Sequence, residues 1–174
     1  MRSLLAIPAA LFVAACAGIA PMAVPDQLAP PAGERLALMA AARGVQIYEC
    51  RAGKEAGSAP QWVFVAPEAE LIDARGRPAG THGAGPYWQA ADGSRVIGKV
   101  SARADAPTAD AIPWLLLSTA STGKPGVFGS VSSIQRINTV GGLAPAAGCN
   151  AETLGRQARV GYRADYRFFG AATR

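Results

Sequence analysis

Histidine is almost missing from this sequence: His82 is the only one in 174 residues, and there are three cysteines, Cys16, Cys50 and Cys149. So small a set excludes a zinc finger and a three-histidine catalytic zinc centre, and no metal site is expected. Lysine is scarce too, three against fourteen arginines, and beyond Arg2 the arginines are scattered between positions 35 and 174 without a run of three. The formal charge of +5 therefore does not gather into the basic face that nucleic acid requires, and no such partner is expected. Nor is there an apolar run of membrane-spanning length. Residues 4–15 are apolar throughout, yet twelve residues rise only about 18 Å as a helix, against about 30 Å of bilayer core.

What the chain does have begins with that run. A short basic start, Met1-Arg2-Ser3, followed by the apolar stretch, has the form of a secretory leader. Val13-Ala14-Ala15-Cys16 then resembles the lipobox of bacterial lipoproteins, in which small residues fit the peptidase and the cysteine sulfur accepts the lipid. We therefore expect a signal peptide over residues 1–15 and lipidation at Cys16. Localisation follows: an exported lipoprotein anchored to a bilayer, at the outer membrane facing the periplasm or the surface. Residues 16–33 hold four prolines and no apolar period, which reads as a lipidated N-terminus and a semi-rigid tether. With Cys16 assigned to lipid, Cys50 and Cys149 remain, and in an oxidising compartment they are expected to pair.

Residues 34–174 read as one β domain. Half of the chain is hydrophobic, enough for a single core at this length and well away from disorder. The segments 44–51 and 61–65 are β-branched and aromatic, and Asp92-Gly93 between two extended stretches signals a hairpin with both turn residues at positive φ. Ile112-Pro113-Trp114-Leu115-Leu116-Leu117 is apolar on both faces, as a buried strand would be, and residues 131–139 interleave polar with apolar. In the last segment Val160, Tyr162, Ala164, Tyr166 and Phe168 alternate with Arg163, Asp165 and Arg167, so one side faces a core. Residues 34–43 suit a helix by propensity and a strand by the period of Leu36, Leu38 and Ala40; strand is the reading adopted. About eight short strands give an all-β, antiparallel sandwich or small barrel.

Few residues carry chemistry. In the Gly-rich stretch 80–88, Thr81, His82, Tyr87 and Trp88 are candidate ligand contacts, because glycines let backbone approach a bound molecule. His82 is also the candidate general base, with Glu68 or Asp73 to orient it. The competing reading makes His82 a structural hydrogen-bonder. In SSIQRINT, polar residues between Ile134 and Ile137 suggest a lined pocket, which adds Gln135, Arg136 and Asn138. The sequence STGKPG lacks the first glycine and the Ser/Thr of a phosphate loop, and residues 80–85 order their glycines the wrong way for a dinucleotide site. No cofactor is expected.

Taken together, GVQIYECR at 44–51, WVFVAPEAEL at 62–71, GTHGAGPYW at 80–88, IPWLLL at 112–117, IQRINTVGG at 134–142, APAAGC at 144–149 and ADYRFF at 164–169 resemble one family, the domain of unknown function 3455 of exported bacterial and fungal proteins. The resemblance implies a single β-rich exported domain over roughly residues 27–170, and no established activity. Two function classes stay open: a non-enzymatic module binding a small molecule, glycan or protein partner, and a cofactor-independent hydrolase or isomerase built on His82.

Overall fold

The computed structural model describes residues 23–55 and 57–171. The leader, Cys16 and the start of the proline-rich segment lie outside the described residues. Eight strands follow in order: β1 (Glu34–Arg51), β2 (Gln61–Ile72), β3 (Pro78–Gly83), β4 (Tyr87–Ala90), β5 (Arg95–Ala104), β6 (Trp114–Ser121), β7 (Val131–Gly141) and β8 (Gln157–Ala171). Each runs antiparallel to its neighbour in sequence, and β8 returns to β1, so the sheet closes into a barrel. Of the two expected architectures, the barrel is the one formed. The closing seam runs from Glu34 opposite Ala171 to Glu49 opposite Gln157. Closure also leaves neither of the two longest strands with a free edge along that seam.

The seam needs longer strands than the sequence suggested, and β1 with 18 residues and β8 with 15 supply them. Residues 34–43 belong to β1 despite their helix-favouring composition. Leu38, Ala40 and Ala42 fall on the inward parity of a strand, where packing inside the barrel outweighs intrinsic propensity. Register shifts at Ile47/Tyr48, Leu71/Ile72, Val100/Ala102 and Ile137/Val140 bend the strands into the closed curve. The hairpin at Asp92-Gly93 forms, but with a different turn from the one expected. Ala90 N–H donates to Ser94 O and Gly93 N–H to Ala90 O, and only Gly93 has positive φ, at 85°. The loop is thus three residues long with glycine in the left-handed position. Asp92 instead accepts from the Ser94 amide and hydroxyl and the Val127 amide, which ties the β6–β7 connection to the hairpin.

Inside the barrel, β8 contributes Tyr162, Ala164, Tyr166 and Phe168, as its alternation predicted. They meet Leu71, Trp88, Val96, Leu117, Phe128 and Ile134, and the Phe128 and Phe168 rings stack at 4.6 Å. Each such burial stabilises by about 1.5–3 kcal/mol, and together they plug one end of the barrel.

A second cluster lies outside the wall. Leu28, fully buried, packs with Val24 against Trp114, Leu116, Ile137 and the alanines of β5. The 3-10 turn Asp26–Leu28 holds it there: Gln135 Nε2 donates to Leu28 O at 2.6 Å, and Gln27 Nε2 to Arg103 O at 2.7 Å. Residues 24–28, which the sequence reading placed within a tether over residues 16–33, are therefore docked on the domain. Val24 and Leu28 are the reason: a strap with two aliphatic side chains gains more by covering β5 to β7 than by staying in water. Cys50 and Cys149 form the expected disulfide, joining the end of β1 to the β7–β8 connection.

Candidate functional site

The plugged end contrasts with the other, where strand lengths leave the wall incomplete. The hairpin of β3 and β4 stops at Gly83 and Tyr87, so β2 pairs with β3 only from Ala69 onward and β5 pairs with β4 only up to Ile97. Residues 61–68 of β2 and 99–104 of β5 consequently face a gap with no strand between them among the described residues. Behind the gap lies a cavity of about 180 Å³. Phe64 and Val65 on one side, Gly85 and Pro86 at the hairpin tip and Val100 on the other form its rim, and Gln46, His82, Trp88, Leu115, Leu117, Arg136 and Tyr166 line it. The Gly-rich stretch makes this possible. It turns the chain back early and keeps its tip small, and Gly98 beneath it leaves room for the Trp88 indole, which a Cβ would approach to 2.7 Å.

His82 is buried in the cavity wall. It lies opposite Ala69 and Trp88 in the ladder and stacks on the Trp88 ring at 4.2 Å, with Tyr166 edge-on at 5.3 Å. Its Nδ1 is 2.7 Å from Tyr87 O, and since a carbonyl only accepts, Nδ1 carries the proton and donates. Burial pushes the imidazole pKa down to about 4, opposed by the bond to Tyr87 and assisted by the Arg136 charge.

Arg136 reaches the same cavity from β7. Its Nε and Nη2 donate to Pro113 O at 3.2 and 2.8 Å, and no carboxylate pairs with it among the described residues. Its charge acts on every titratable group around it, lowering the pKa of Tyr48, His82, Tyr162 and Tyr166, while burial, the larger effect, raises the three tyrosines. The Tyr166 hydroxyl lies near enough to Tyr162 and Arg136 for them to bias its ionisation, yet no hydrogen bond of good geometry closes between them. Gln46 Nε2, Trp88 Nε1 and the Tyr162 hydroxyl are likewise buried without a protein partner. Most such groups in folded proteins are satisfied, so three of them, on Gln46, Trp88 and Tyr166, in the wall of one cavity mark it as unusual.

The remaining expected site residues are elsewhere. Glu68 is exposed and bonds Arg159 at 2.6 Å across the outer surface. Asp73 accepts from the Arg75 and Arg77 amides and from Arg77 Nε, fixing the β2–β3 turn, and these bonds hold its carboxyl below the usual range. Neither orients His82. Thr81, Tyr87 and Glu68 line an open hollow on the outer face that His82 also borders, and Arg95 lies 3.9 Å over the Tyr87 ring. Gln135 is outside the barrel under the strap. Asn138 occupies the β7 bulge at φ 51°, donating to Asp165. Only His82, Trp88 and Arg136 meet at the cavity. The sequence reading missed Gln46 and Tyr166 there, although Tyr166 sits on the inward parity of β8, and a hydroxyl on a core-facing position was the available signal.

The sequence profile of Protein of unknown function (DUF3455) matches residues 31–170, from the start of β1 to the end of β8. The chain belongs to the DUF3455 family. In this DUF3455 domain the profile covers the whole barrel, including the Gly-rich hairpin tip, both disulfide cysteines and Arg136. Neither curated proteins nor solved structures yield a match to the chain.

Proposed function

We propose that this DUF3455 domain is an exported, lipid-anchored envelope module that binds a small molecule in the open end of its barrel. One observation carries the reading: a cavity behind a gap in the wall, floored by packed side chains, whose lining residues Gln46, Trp88 and Tyr166 each bury a polar atom without a protein partner. An eight-stranded barrel encloses about enough space to be filled or to hold one small ligand, and this one is filled at one end only. Catalysis by His82 is the weaker reading: Glu68 shares the outer hollow with the histidine but is bonded to Arg159, Asp73 fixes a turn, and neither hydrogen-bonds the ring.

The disulfide is in keeping with export, since such bridges persist in oxidising compartments. Cys16 is the proposed attachment point, with the residues between it and the docked strap as the remaining tether. Native mass spectrometry of protein extracted from its own envelope tests both halves. The expected result is a retained small molecule and an N-terminal mass of diacylated Cys16. A bare polypeptide beginning at Met1 would refute them.

A further inference from the structure

We infer that the molecule held in this cavity is a small organic monoanion, a carboxylate on an apolar body about the size of one ring, with Arg136 as its anchor. The inference rests on the binding reading and adds the ligand class. Charge decides the head group. Arg136 is the one ionised side chain lining the cavity, and no carboxylate among the described residues neutralises it. Two of its donors serve Pro113 O, which leaves guanidinium N–H groups for a ligand oxygen. A half-buried guanidinium without a counter-ion is costly, and an anion entering beside it gains charge-assisted hydrogen bonds stronger than those to a neutral acceptor.

The neighbouring groups agree. Gln46 Nε2 and Trp88 Nε1 are donors only, and the Tyr166 hydroxyl can donate, so the unpartnered polar atoms buried in the wall behind the cavity are of the kind that favours an oxygen-rich head. His82, neutral with Nδ1–H committed to Tyr87 O, adds no competing charge. The body of the ligand is set by the rest of the wall. Phe64, Val65, Pro86, Val100 and Leu115 are apolar, and about 180 Å³ is comparable to the engineered cavity of about 150 Å³ that accepts benzene. A single charge is all that one arginine balances.

The test uses three probes of one shape on the oxidised domain: benzoate, benzamide and benzylammonium, with acetate as a head group lacking the body. Titrations are followed by calorimetry and by the amide spectrum, reading the Trp88 indole N–H and the Gly85 amide. Benzoate should bind at one site at least about tenfold more tightly than benzamide or acetate, and benzylammonium should not bind. Arg136→Gln should bring benzoate and benzamide within about threefold of each other. Should that variant fail to fold, Val100→Glu at the exposed rim should weaken benzoate by about threefold or more beyond whatever it costs benzamide, since both lose the same apolar contact and only benzoate meets a like charge. If benzamide matches benzoate at these same resonances, the anion assignment fails while the cavity stands as a binding site. If none of the probes shifts them, both the assignment and the site fail.

Discussion

Because the His82 ring is sealed between Trp88, Tyr166 and the β2 wall, its charged form is penalised and its pKa falls to about 4. In the unfolded chain the ring titrates at about 6.5, so between these values the unfolded state binds more protons than the folded one. Stability must then rise with pH across that window: it is intact above about pH 6.5 and falls progressively until about pH 4, by about 3 kcal/mol. Arg136, the cation facing the ring, works in the same direction. Asp73, Asp92 and Glu49 also hold lowered pKa values through hydrogen bonds, but they lose their contribution at lower pH and are common to any variant at position 82. Calorimetric melting of the wild type and His82→Gln at pH 7, 5.5 and 4.5 isolates the imidazole, since glutamine retains a donor for Tyr87 O. The wild type should lose more of its melting temperature on acidification than His82→Gln does, and parallel curves would contradict a buried neutral ring.

At the scale of the elements, the strap at 24–28 offers a sharper test than any strand, because a single aliphatic side chain fixes it. Leu28 is fully buried against Trp114 and Ile137, and its carbonyl is taken by Gln135. Leu28→Ala should cost about 2–4 kcal/mol, at the low end if the strap peels away and takes only its own contacts with it. Peeling would expose Trp114, so a red shift of tryptophan emission and faster proteolysis before residue 30 should accompany the loss. Unchanged emission would mean that the strap holds without its anchor. The same element explains why the sequence was only partly legible. Strand identity and inward parity were readable in β8 because its alternation is unbroken, and β1 was readable once its two-residue period was preferred to its helix propensity. The strap was not, because a two-residue anchor has no period and its value depends on β5 to β7 being assembled first. Likewise Gln135 and Arg136 are adjacent in a polar segment, and composition alone could not reveal that closure sends one outward under Leu28 and the other inward to the cavity.

For the molecule as a whole, the disulfide acts where the hydrogen-bonded seam ends. The β1–β8 ladder stops at Glu49, and beyond it Cys50 is bonded to Cys149, while Tyr48 Oη donates to Gly142 O at 2.6 Å and Trp62 Nε1 to Ala147 O at 2.9 Å. These links, with the backbone bonds from Cys50 N–H to Arg156 O and from Gly155 N–H to Cys50 O, fasten the connection between β7 and β8 to β1 and β2 beside the open end. The bridge closes a loop of about 100 residues, for which the chain-entropy account gives up to about 4.7 kcal/mol, acting chiefly on the unfolded chain. Reduction should therefore lower the denaturant midpoint by the equivalent of about 2–5 kcal/mol and raise the slope, because an unbridged chain exposes more surface when it unfolds. The loss should not be uniform. Phe128, Ile134 and Phe168 pack the far end independently of the bridge, so amides there should keep exchanging only through global unfolding, whereas residues 142–156 should lose protection well before it. Hydrogen exchange with and without reductant separates the two outcomes. Equal protection loss at both ends would mean that the plug depends on the bridge, and the barrel could then not be regarded as a rigid floor beneath a separately fastened rim.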